Sequence, residues 1–167
     1  MTFIAGQYTV TYDTIGEGTP NTIGQIESGF TIEHFQNKRL ITGDNEGLTA
    51  QDAVFQGHEV FIEFVLMEYR DASDTTRPVF WPYHANFGTQ GVVGRLDVAS
   101  SIALQLILTV VAGTTAAVAA APTSLTAPRA ILAEGFPVRM SLAPDLRDIP
   151  IRMRLYPNSG RDFYTTT

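Results

Sequence analysis

The stretch "FTIEHFQNKRLITGDNEGLTAQDAVFQGHEVFIEFVLMEYR", Phe30 to Arg70, decides how this chain reads. Two arms rich in β-branched and aromatic residues flank a polar tip, Thr42–Gln51, which is the pattern of a β-hairpin. On the outward arm Phe30 and Ile32 share one parity, and Glu27, Thr31 and Glu33 share the other. On the return arm Val60, Ile62, Phe64 and Leu66 stand opposite Glu59, Phe61, Glu63 and Val65. Because strand side chains alternate between faces, each arm has one apolar face and one mixed, acidic face. The arms run from about Ile26 to Ile41 and from about Val54 to Tyr69. At roughly 3.3 Å per residue each spans on the order of 50 Å, against about 5–6 residues for a typical strand. Strands that outgrow their own core leave unpaired ladder groups unless another chain covers them. The hairpin therefore predicts association, with sheets joining edge to edge until a ring closes.

The rest of the chain supplies the core. Its 167 residues fit one domain, 1–167, long enough to bury a core without covalent staples. Hydrophobic residues make up 44% and charged residues 17%, the balance of a folded chain rather than a disordered one. No cysteine is present, which excludes disulfides and thiolate catalysis. The net charge of −6 opposes a nucleic-acid grip, which needs clustered Lys and Arg. "QYTVTYD", 7–13, reads as a first strand, and "TIGEGTPNTIGQ", 14–25, as a loop. A short helix is expected from Ser73 or Asp74 to Pro82, with Trp81 as its packing anchor, followed by a glycine-rich connector, 88–95. "IALQLILTVVAGTTAAVAAAP", 102–122, is long enough to cross a bilayer. Its apolar half alternates with a strand period, however, so 102–111 is read as a strand. "AGTTAAVAAAPTSLTAP", 112–128, reads as a loop in which Pro122 and Pro128 oppose a full helix. A second hairpin then sets Val138, Met140 and Leu142 and, after a turn, Ile149, Ile151, Met153 and Leu155 on its apolar parity, away from Arg139, Arg152 and Arg154. The polar tail 158–167 is expected to lie across a surface. The sum is a mainly β fold: an antiparallel sandwich or small barrel with a long protruding hairpin and one short helix.

No catalytic signature emerges. His34 and His58, flanked by Glu33 and Glu59, come nearly opposite each other if the turn centres near Glu46. Sequence neighbours on a strand point to opposite faces, so at most two of the four could ligate a metal together. A cross-strand polar pair is the simpler reading. His84 stands alone after "WPY", where packing or a loop hydrogen bond explains it. "GTQGVVG" has the wrong glycine spacing and context for a dinucleotide fingerprint. "DNEG", 44–47, lacks the spacing and closing Glu of a calcium loop. Glu33 and Glu63 could face each other as paired carboxylates, but on the polar face of a strand they read as solvated. The expectation is no enzyme activity, no cofactor and no metal.

The order of elements resembles a family. "ITGDNEGLTAQDAVFQGHEVFIEFVLMEY", 41–69, looks like the loop and return strand of the long hairpin of bacteriophage tail tube proteins, and "AILAEGFPVRMSLAPDLRDIPIRMRLYP", 130–157, like their C-terminal hairpin. The resemblance runs from about Val10 to Pro157. It implies hexameric rings that stack into a hollow tail tube, assembled in the host cytoplasm, with inner sheets forming one continuous barrel. The implied partners are further copies of the chain, a tape-measure protein, a tail terminator, a baseplate hub and, where one exists, a contractile sheath. Double-stranded DNA would pass without specific binding. On this reading 42–51 is an inter-ring loop, with Gly43, Asp44, Asn45, Glu46 and Gly47 ordered only on assembly. Glu33 and Glu63 face the lumen, and Arg139, Arg152 and Arg154 hold neighbouring subunits. Two other readings stay open. One is a tail-completion or baseplate ring, or a secretion-tube subunit, of the same fold. The other is a small-ligand-binding β-barrel, which would need an apolar interior left empty.

Overall fold

The computed structural model describes residues 8–13, 21–26, 29–42, 50–67, 102–111, 122–135, 137 and 148–167. The expected helix at 73–82, the glycine-rich connector, His84, the tip residues 43–49, and Arg139 with Val138, Met140 and Leu142 lie outside them. Eight strands run β1 (Tyr8–Tyr12), β2 (Asn21–Ile26), β3 (Phe30–Thr42), β4 (Ala50–Leu66), β5 (Leu104–Val110), β6 (Ser124–Leu132), β7 (Ile149–Leu155) and β8 (Thr165–Thr166). Among the described residues only Ile102 is helical, and no helix is long and apolar enough to cross a membrane. The strands form one antiparallel sheet in the order β2-β1-β5-β6-β7-β4-β3, with β8 added to β6. The sheet curls until the Met67 amide donates to the Gln25 carbonyl at 3.0 Å. One such bond does not make a ladder, so the expected sandwich or barrel is an open, curled sheet.

The period-two pattern of the sequence is what builds the core. Val60, Ile62, Leu66, Leu106, Leu108 and Met153 are fully buried on the concave side. Their ladder neighbours Glu63 and Arg152 turn to the other face. Tyr8 meets Phe30 edge-on at 5.1 Å, closing β1 against β3 across that core. Tyr12 is buried, and its hydroxyl donates to the Ala130 carbonyl at 3.0 Å. Burial pushes that hydroxyl's pKa up, so it remains a donor. Tyr12→Phe is expected to lower unfolding free energy by about 1 kcal/mol, because the Ala130 carbonyl loses its donor. Urea denaturation should show a lower midpoint at unchanged slope.

The described parts of two expected loops are mostly strand. Asn21–Ile26 pairs with β1, and Ile23 and Ile26 enter the core. A register shift at Val10/Thr11 sets Ile23 between the Val10–Gly24 and Thr11–Thr22 pairs. Gly29, immediately before β3, takes φ 81, a left-handed backbone that glycine adopts without strain. Ser124–Leu132 is likewise a strand, although it contains Pro128. Leu104 pairs with Ala130 and Leu106 with Ala127, so Pro128 falls at the register break, where its missing N–H costs no ladder bond. β7 takes β4 and β6 as neighbours. In the tail, Phe163 and Tyr164 pack against the core cluster and Thr165–Thr166 pairs with β6.

Candidate interaction surface

β3 has 13 residues and β4 has 17, but β7 covers β4 only from Val60 to Leu66. Beyond Val60 the two arms continue as a two-stranded ribbon. Every residue from His34 to Thr42 is exposed, as are 52–56. Among the described residues β3 has no ladder partner on its outer edge, and β4 has none there beyond Val60. The ribbon nevertheless carries Leu40 (62% exposed), Ile41 (45%), Val54 (49%) and Phe55 (56%). A bare hairpin of this kind is marginal in water, and its apolar residues mark a contact surface.

A bulge decides which of these residues share a face. His34 pairs with Val60, Gln36 with His58 and Asn37 with Gly57, but Lys38 pairs with Phe55. The extra residue exchanges the parity of β4 beyond it, so Phe55 and Ala53 join Lys38 and Leu40 on the extension of the core face. Val54 joins Arg39 and Ile41 on the polar face. Gly57 makes this bulge with φ 128; a Cβ there meets nothing within 4 Å but is strained by the backbone itself. Gly57→Ala is therefore expected to cost about 1–2 kcal/mol and to raise amide exchange in the ribbon, read by exchange mass spectrometry.

The polar face of the sheet body holds an ion-pair network. Arg152 bonds Glu33 Oε2 at 2.9 Å and Glu63 Oε1 at 2.8 Å. Arg154 bonds Glu134 Oε2 at 2.8 Å and Glu59 Oε2 at 3.2 Å. Both guanidiniums lie over the ring of buried Phe61, 4.5 and 4.7 Å from its centroid, a cation–π arrangement. Burial pulls the Arg154 pKa down, but the hydrogen bond and charge of Glu134, with Glu59, outweigh that and hold it above its ordinary value. This network holds four carboxylates against two guanidiniums, a surplus of two negative charges. An open cleft of about 280 Å³ borders Arg152, Arg154, Phe61 and Glu134.

The expected site residues are thus distributed in definite ways. Glu33 and Glu63 are not directly opposite; Glu33 pairs across the ladder with Phe61 and Glu63 with Thr31. One arginine joins them. Arg152 and Arg154 already have partners within the chain, so any contact with another subunit would be made by the network as a whole. His34 and His58 sit two residues out of register rather than opposite: Thr42 pairs with Ala50, as a turn centred near Glu46 requires, but the register shifts at Ile41/Thr42 and Asn37/Lys38 bring Val60 opposite His34. Their rings stack at 6.1 Å. Glu33 and Glu59 face away from them, bonded to the arginines, and no group of three or more metal-ligating side chains occurs among the described residues. Phe61, Glu59, Glu134 and Phe55 were not singled out by the sequence as a set. Phe61 carried a signal as an aromatic on the acidic parity of β4, and Glu59 only as a neighbour of His58.

No protein-family model matches this chain, and no curated protein matches it. Its fold is similar to that of a chain in a solved structure described as "Virion of native gene transfer agent (GTA) particle", with TM-score 0.48, 10% sequence identity, and coverage of 96% of this chain and 95% of that chain. A likeness at that level carries no argument about function.

Proposed function

We propose that this chain is a non-enzymatic structural subunit of a phage-type tail tube. Copies associate into rings, which stack, and the ribbon beyond Val60 is completed by its neighbours. The observation that carries the reading is the ribbon itself, with backbone edges unpaired among the described residues and the exposed side chains Leu40, Ile41, Val54 and Phe55. Edge pairing and apolar burial are the two things such a ribbon lacks. The sequence resemblance adds the hexameric ring, the tape-measure partner, the inter-ring role of 42–51 and the passage of double-stranded DNA. Glu33 and Glu63 are assigned to the channel, held by Arg152. A wall with surplus carboxylate would repel phosphates and let DNA slide without sticking. Arg139 is assigned, with Arg152 and Arg154, to the boundary between subunits.

Electron microscopy of the purified chain tests the reading. Stacked hollow tubes are expected. Isolated rings would move the assignment to a completion ring of the same fold. A chain that stays monomeric at high concentration would overturn it.

A further inference from the structure

The tail joins β6 to the root of the ribbon. On one side, Thr165–Thr166 pairs with Leu125–Thr126 of β6, along the stretch that β7 does not reach. The amides of Thr123 (2.6 Å) and Ser124 (3.1 Å) donate to the Thr167 carbonyl, and the Thr167 amide donates to the Ser124 carbonyl at 3.1 Å. On the other side, the same segment lies against the root of the ribbon. Phe163 contacts the ring of His58 at 4.7 Å, and Tyr164 contacts His34 at 5.8 Å. The Tyr164 hydroxyl and His34 Nε2 share a hydrogen bond of 3.1 Å. His58 in turn touches Phe55, 6.0 Å away, beyond the Gly57 bulge. The tail can take this path because the chain reverses just after β7. Asn158 Oδ1 accepts from the Asp162 amide at 2.9 Å, and Arg161 adopts φ 69, a conformation of non-glycine residues kept only where surrounding bonds enforce it.

We propose that segment 158–167 is a clasp that fixes the ribbon's orientation on the sheet body, with Phe163, Tyr164, His34 and His58 as its positioning residues. A two-stranded ribbon with free edges bends and twists readily, whereas one pinned at its root presents Leu40 and Phe55 in a set direction. That presentation is what a repeating contact between copies requires, so the clasp deepens the proposed assembly role. Its mechanical part stands independently of that role.

Amide hydrogen exchange on the full chain before assembly tests it. His58→Ala removes the ribbon side of the contact at an exposed position and spares the core. It is expected to speed exchange at 35–41 and 53–57 on the order of tenfold, the effect of losing one or two aromatic contacts, with β5 and β6 unchanged. His58→Phe keeps an aromatic partner for Phe163 and should remain close to wild type. The double variant Phe163→Ala with Tyr164→Ala should reproduce the ribbon effect from the other side. Unchanged ribbon exchange in both Ala variants overturns the clasp. Equal acceleration in the ribbon and in β5–β6 also overturns it, since the residues would then be ordinary core packing. Altered ribbon exchange with wild-type tube formation would support the clasp and count instead against the ribbon's role in assembly.

Discussion

A chain carrying Leu40→Glu and Phe55→Glu is expected to melt like wild type and to form neither tubes nor rings. Both side chains are more than half exposed, and exposed substitutions of this kind typically change stability by no more than about 0.5 kcal/mol. The bulge at Gly57 places the two on the same ribbon face, through the pairs Lys38–Phe55 and Leu40–Ala53. If that face is buried by a neighbouring copy, each apolar side chain contributes about 1.5–3 kcal/mol to the contact. A glutamate in its place both forfeits that and must desolvate a charge without a partner. In a ring the loss recurs at every subunit boundary. Circular dichroism melting and negative-stain microscopy of the same preparation provide the measurement. Wild-type yields of tubes would assign this face to solvent and leave assembly to the backbone edges. A lost melting transition would show that the ribbon is part of the folding unit.

The parts legible in the sequence are those where one face is forced into the core. Val60, Ile62, Phe64 and Leu66 share one parity and are buried, as are Ile149, Ile151 and Met153, because a single-residue slip would expose the whole set. What stayed hidden depends on non-local neighbours. Nothing near Pro128 announces that β5 offers a register break opposite it, and nothing near Ile23 announces a bulge against β1. The bulge at Gly57 is the most consequential of these, since it exchanges Phe55 and Val54 between faces and defeats any parity count carried through it. The candidate site divides in the same way. The common parity of Arg152 and Arg154 is local and was readable. Their partners come from β3, β4 and the turn after β6, and only the sheet order brings Glu33, Glu63, Glu59 and Glu134 together.

Removing both cations, as Arg152→Ala with Arg154→Ala, is expected to destabilise the isolated chain by about 2–4 kcal/mol. Exposed ion pairs alone would contribute about 0–1 kcal/mol each, and these guanidiniums are 28% and 23% exposed, so solvent screening discounts the charge term. Two further effects raise the total. Each guanidinium covers the Phe61 ring, an interaction of about 0.5–2 kcal/mol, and its loss opens an aromatic side chain now only 7% exposed. Truncation also leaves Glu33, Glu63, Glu59 and Glu134 without their cations, turning attraction into mutual repulsion. The two substitutions share Phe61 and should not add. Salt separates the terms: raising it from about 0.05 to about 1 M shortens the screening length from over 10 Å to about 3 Å, weakening the wild-type pairs and relieving repulsion in the variant. The stability gap should therefore narrow. Arg→Lys at both positions, which keeps the charge and loses the planar fork, should fall between the two. A gap that does not move with salt would assign the arginines to packing over Phe61. A double variant as stable as wild type would show that the network carries no net stabilisation, leaving a contact between subunits as the remaining role for these two arginines.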